Sequence, residues 1–163
     1  MAIGERKMKM YLDSSYLQKP KHRRVFLQAA DFFASNENLR GRLIIIVSPF
    51  AAEEGYGRIH ANADRIAKGL YLVALSCRTA NDVSVLRPRG LRVLFHELEH
   101  VRQFHEGELQ YNKNETQLIW KGASQKNVPY EKQEFEIMAD RVGRVYADDF
   151  LSVFPTDLRR GVR

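Results

Sequence analysis

The stretch LRVLFHELEHVRQF, Leu91 to Phe104, constrains the fold more than any other part of the chain. On an α-helix, residues four apart lie about 40° apart around the axis and one turn along, so His96 and His100 aim their imidazoles at one point. Leu91, Leu94, Leu98 and Val101 fall on the opposite side. The helix must therefore bury its back against other elements while its histidine face opens to a cleft. Pro88 suits the first helical position and Gly107 a stop, which sets the helix from about Pro88 to His105.

The rest of the chain has to supply the surface that receives that back. MKMYL, Met8 to Leu12, alternates as a short strand does, and VFLQAADFFAS from Val25 has apolar residues at helical spacing. RLIIIVS, Arg42 to Ser48, is a β-branched run read as a buried strand, and Gly69 to Ser76 is read as another. Gly55, Gly57 and Asn62 suggest turns, with an edge strand or hairpin around Tyr56 to Ala61. TQLIWKG sits inside a polar connection. NVPYEKQEFEIMADRVGRVYADDF is read as a helix whose start Pro129 suits, with Phe135, Met138, Val142, Val145 and Tyr146 as its apolar face. Strands and a helix come first and two helices follow, which points to α+β with a small mixed sheet packed on the motif helix. At 163 residues without a linker or repeat, residues 1–163 are read as a single domain.

One cysteine, Cys77, excludes an internal disulfide and a zinc ribbon of paired cysteines. It ends the apolar run LVALSC and is read as a buried small hydrophobe. The opening MAIGERKMKMYLD carries charge where a secretory leader needs an apolar stretch, and no apolar run nears the ~20 residues of a membrane span. A cytoplasmic protein with no membrane association is expected. The net charge of +6 is uneven: residues 1–95 hold 16 Lys and Arg against 8 Asp and Glu, residues 96–163 hold 10 against 12. The densest basic cluster is KPKHRR, Lys19 to Arg24. It reads as a solvated helix start, or as a surface for an acidic substrate or a nucleic acid.

Within the motif, Glu97 stands between the histidines. Zn²⁺ held by neutral imidazoles and a carboxylate lowers the pKa of a bound water toward ~7. Glu97 is placed to take that proton as the water attacks a carbonyl, and to return it to the leaving amine. The implied cofactor is one zinc ion per chain. A third protein ligand is then needed. His105 points about 140° away from His100 around the helix. Glu106 and Gln103 stand where the HExxHxxGxxH pattern requires histidine and glycine, which disfavours that class. Glu136 in EFEIMAD is favoured, because Asp140 lies one turn beyond it on the same face and can hold a ligand histidine by its distal N–H. Glu134 competes; its side chain points about 200° from Glu136, and using it would turn Phe135 and Met138 out of the core. The alternative without a site pairs Glu136 and Asp140 with Arg141 or Arg144 on a solvated face.

With HELEH followed by ExxxD, the chain resembles the gluzincins, zinc metallopeptidases whose ligands are the two histidines of HExxH and a downstream glutamate. It is similar in particular to small single-domain bacterial and phage members, whose pieces read HELEHVRQ, IWKG and PYEKQEFEIMAD here, over roughly residues 86 to 147. The resemblance implies a zincin-like fold, with His96, His100 and Glu136 as metal ligands, Glu97 as general base and Asp140 behind a histidine. It also implies an edge strand along the cleft that pairs with an extended peptide or protein substrate. The Tyr56 to Ala61 segment is the nominee, and His60 within it is read as a surface or packed residue. Tyr130, taken to open the ligand helix, is the candidate transition-state donor. The chain departs from the family at Met138, where small members often carry a second acidic residue, and in a longer spacing from His100 to Glu136 than in the large secreted gluzincins. The leading expectation is a zinc metalloendopeptidase. The others are a nucleic-acid-associated or partner-binding protein with a structural or vestigial metal site, and a zinc amidohydrolase for a non-peptide amide.

Overall fold

Strand register is set where two glycines meet. In the computed structural model, which describes residues 7–13, 15–17, 19–48 and 61–154, Gly41 has φ +114°, and a Cβ there would lie 2.5 Å from the carbonyl oxygen of Gly69. The Gly41 carbonyl accepts from the Lys9 N–H and the Gly69 carbonyl from the Arg42 N–H, both at 2.8 Å. These bonds align the starts of β1 (Lys9–Asp13), β2 (Arg42–Ser48) and β4 (Leu70–Ser76), pairing Lys9 with Arg42 and Arg42 with Leu70. The three strands run parallel, and β3 (Ala61–Ala67) lies antiparallel to β4 at the end of the order β1-β2-β4-β3. Helix α1 (Pro20–Asn36) connects β1 to β2.

Period-two alternation then decides what each strand buries. Leu43, Ile45 and Val47 stand beside Tyr71, Val73 and Leu75 on one face, and all six are buried. They join Phe26 and Phe33 of α1 and Leu91, Leu94 and Leu98 of α3 (Pro88–His105) in one core. Fully burying such side chains stabilises the fold by about 1.5–3 kcal/mol each. On the opposite face Ile44, Ile46 and Leu72 are half-buried, so RLIIIVS, expected to be buried throughout, hides one face and half covers the other.

Two elements were not anticipated. Ser76 caps a short helix, α2 (Cys77–Ser84), its hydroxyl accepting from the Thr79 N–H at 3.2 Å. Cys77 opens this helix half-exposed instead of lying buried. The polar connection after α3 forms a second sheet of three short antiparallel strands, β5 (Leu109–Tyr111), β6 (Leu118–Trp120) and β7 (Ala123–Ser124). Segments this short carry too few residues to show an alternation. In β3, Asn62 lies in a strand although its residue type suggests a turn; ladder pairing of Asn62 with Ala74 overrides the weak strand propensity of ANAD. Of the expected edge segment, Tyr56 to His60 lie outside the described residues.

The last helix, α4 (Glu134–Val153), packs along α3, preceded by a separate 3-10 turn at Tyr130–Lys132. Its buried stripe is Phe135, Ala139, Gly143, Ala147 and Phe150. The larger residues expected there flank the stripe: Met138, Val142 and Tyr146 are half-buried, and Val145 is 53% exposed. Small residues on the seam let the two backbones approach. A Cβ on Gly143 would come within 2.6 Å of the Arg92 carbonyl oxygen and 3.1 Å of the His96 nitrogen. The architecture is a mixed α+β fold of four helices and two small sheets among the described residues. None of the helices is long and apolar enough to cross a membrane.

Candidate metal centre

Close approach of α4 to α3 brings three donor atoms to one point. His96 Nε2 and His100 Nε2 lie 3.1 Å apart, and Glu136 Oε2 lies 3.2 Å from the first and 3.3 Å from the second. Four ligands at zinc-like bond lengths of ~2.0–2.1 Å in a tetrahedron stand about 3.3 Å from one another. The triangle is thus close to three corners of such a site, and His96, His100 and Glu136 can hold a metal ion.

The groups behind the ligands agree with this. Nδ1 of His96 lies 2.9 Å from Asp140 Oδ1, and Nδ1 of His100 lies 2.9 Å from Gln103 Oε1. A neutral imidazole that donates its Nδ1–H to these oxygens has its Nε2 lone pair facing the triangle, free for a metal. Gln103, which in the sequence stands in place of a glycine and closes the HELEHVRQ piece, is fully buried and joins α3 to α4. Its amide nitrogen donates to the Phe135 carbonyl at 3.0 Å and reaches Glu99 Oε1 at 3.4 Å. Glu99 is itself neutralised by a bidentate Arg102, which also binds Glu108 at 2.9 Å. The signal was the i+3 spacing of Gln103 from His100, available on any helix.

Glu134, the competing ligand, has another partner: its Oε2 accepts from the Trp120 indole N–H at 3.1 Å. Trp120 also packs against Phe135, and Phe135 against His100, with ring centroids 5.9 and 5.8 Å apart. The small sheet therefore clamps the first turn of α4 from one side while Gln103 holds it from the other. Tyr130 does not open α4 but sits in the preceding 3-10 turn, where its hydroxyl donates to Glu136 Oε2 at 2.9 Å although the residue is 62% exposed. His105 stands apart from the triangle, bonded to Glu106 at 3.0 Å and accepting the Arg40 N–H at 3.3 Å.

Charge in the cluster is strongly coupled. Burial works to raise the Glu136 pKa, but hydrogen bonds from His100, His96 and Tyr130 outweigh it and hold the carboxylate far below its usual range. For both histidines burial works downward, and contact with Glu136 overcomes it, so both are held above their ordinary value. Glu97 is only 7% exposed. Burial raises its pKa; the charges of His100 and His96 oppose this without cancelling it. Buried beside the triangle and acted on by its charges, Glu97 is an acid/base group of the kind that clusters at functional sites. Comparison of the chain with protein-family models, with curated proteins and with solved structures finds no match.

Proposed function

We propose that this protein is a zinc-dependent endopeptidase on a zincin-like scaffold. The observation that carries the reading is the triangle of His96 Nε2, His100 Nε2 and Glu136 Oε2 with the buried, raised-pKa Glu97 beside it. Zn²⁺ bound by those three atoms would supply an acidified water and a Lewis acid for a carbonyl. Glu97 holds the proton taken from the attacking water and passes it to the departing amine; a carboxyl whose pKa burial has raised is suited to both transfers. Asp140 and Gln103 keep the two imidazoles in the tautomer that binds metal. Tyr130 is assigned as donor to the developing oxyanion because its exposed hydroxyl already reaches Glu136.

Substrate is received in extended form. Strand β3 ends the sheet order and packs on α3, the helix that carries both histidines. A peptide paired along its outer edge is held straight, and main-chain hydrogen bonds bind it with little regard to side chain.

Zinc content and cleavage of a mixed-sequence peptide library, compared between wild type and Glu97→Gln, test the reading. About one zinc per chain is expected in both proteins, with cleavage lower by about 10²–10⁴-fold in the variant. Failure of the metal-loaded wild type to retain zinc sinks the proposal, and full cleavage by Glu97→Gln removes the general base.

A further inference from the structure

Outside the metal centre, the solvent side of α1 carries a feature that hydrolysis does not use. Pro20, Arg23, Arg24, Leu27, Gln28 and Asp31 line a shallow depression of 530 Å³. A second, of 250 Å³, adjoins it at Asp31 and continues past Ala34 and Ser35 to Lys7 and Arg40. Spacings of three and four residues place these α1 positions on one stripe, so the two depressions form one groove about 22 Å long at ~1.5 Å per residue. Arginines stand at one end and Lys7 with Arg40 at the other. Lys19 and Lys21 flank the arginine end, and Asp31 is the single carboxylate in the lining.

The local field is positive enough to act on a neighbour. Burial lowers the His22 pKa, and the ammonium groups of Lys19 and Lys21 lower it further.

We infer that this groove docks an acidic segment of a partner protein, with carboxylates at the segment's ends and apolar residues at its centre. Charge complementarity sets the ends. The middle decides between a peptide and a nucleic acid. Leu27, 36% exposed, offers apolar contact there, and among the described residues no aromatic side chain lines the groove to stack a base. Asp31 repels a phosphate but accepts from a peptide N–H. An extended segment of ~7 residues spans the groove.

The test is fluorescence anisotropy on the full chain carrying Glu97→Gln, so that no probe is consumed and the result does not depend on the hydrolytic reading. The probes are a labelled peptide with glutamates at both ends and leucines at its centre, its lysine-for-glutamate counterpart, and a labelled DNA duplex of similar length. The glutamate peptide binds best and weakens as salt rises. Arg23→Glu with Arg24→Glu weakens it by about tenfold or more, and Leu27→Asp weakens it as well. Arg141→Glu with Arg144→Glu on the exposed face of α4, an equal change of net charge, leaves it unaltered. All these positions are exposed, so the thermal transition stays in place. Equal loss from both charge-reversal pairs, no loss from the α1 pair, or tighter binding of the duplex than of the peptide overturns the proposal.

Discussion

Between α1 and the four-stranded sheet, Phe26, Phe33, Leu43, Ile45 and Leu75 interlock as apolar surfaces. Between α3 and α4, a stripe of Ala139, Gly143 and Ala147 brings backbones together, and around it sit His96, Glu97, Glu99, His100, Gln103 and Glu136. The first region is held by area, which is non-directional and tolerates a change of shape if volume is kept. The second is held by contacts of fixed direction. A shift of a few tenths of an ångström there misplaces a ligand, and a lost partner leaves a buried polar group unsatisfied. One chain thus places its candidate metal site where packing is least forgiving.

The largest expected effect lies in the seam. On the proposed function, His100→Ala removes a ligand and should lower zinc affinity, read by chelator competition, by more than the tenfold to hundredfold loss (~1.4–2.7 kcal/mol) expected for Gln103→Leu, which removes the group behind that ligand and the bond to the Phe135 carbonyl but keeps all three ligands. If Gln103→Leu binds zinc as wild type does, orientation of His100 by its side chain is not needed.

Acidity comes next. The histidines held above 6.5 by Glu136 must lose their protons before they can bind metal, so on the proposed function zinc uptake should release protons and affinity should fall by about tenfold per displaced proton for each pH unit below their folded values. Stability of the zinc-free protein runs the other way. The raised histidines contribute stability that is present below about 6.5 and is lost as pH rises through their folded values. The lowered Glu136 contributes stability that is present above about 4.5 and is lost as pH falls. Denaturant titrations of zinc-free protein should show the cluster's contribution greatest between those limits; a monotonic rise toward pH 8 would contradict the coupling.

Gly143→Ala tests the seam's close approach. Its new methyl meets the Arg92 carbonyl, a backbone atom that cannot rotate away, and costs about 1–3 kcal/mol in denaturant unfolding. Zinc affinity should fall with it, since His96 is the next contact. The smallest effect belongs to the sheet side: Ile45→Val loses about 0.5–1.5 kcal/mol and leaves zinc affinity unchanged. Loss of zinc binding in Ile45→Val would erase the distinction between the two regions.

Much of the frame was legible in the chain. Helix α3 runs from Pro88 to His105 as the proline and Gly107 indicate, and β1, β2 and β4 fall on the runs read as strands. The errors have one origin. Helix α2 depends on a single serine cap, the small sheet on strands of two or three residues, and β3 on a partner that supplies its ladder. On α4 the helical spacing of large apolar residues points to one buried face, whereas the seam centres on small residues because α3 lies against them.

Local covalent geometry alone made His96 and His100 neighbours, since the helical period needs nothing beyond its own backbone, and it set an apolar back behind them. Which carboxylate joins them was a tertiary decision. Glu134 and Glu136 differ by a rotation of α4 about its axis. That rotation is set by Gly143 against the α3 backbone, by Trp120 taking Glu134, and by Gln103 holding the Phe135 carbonyl. These contacts join segments distant in sequence, and each depends on shape complementarity that no local pattern encodes.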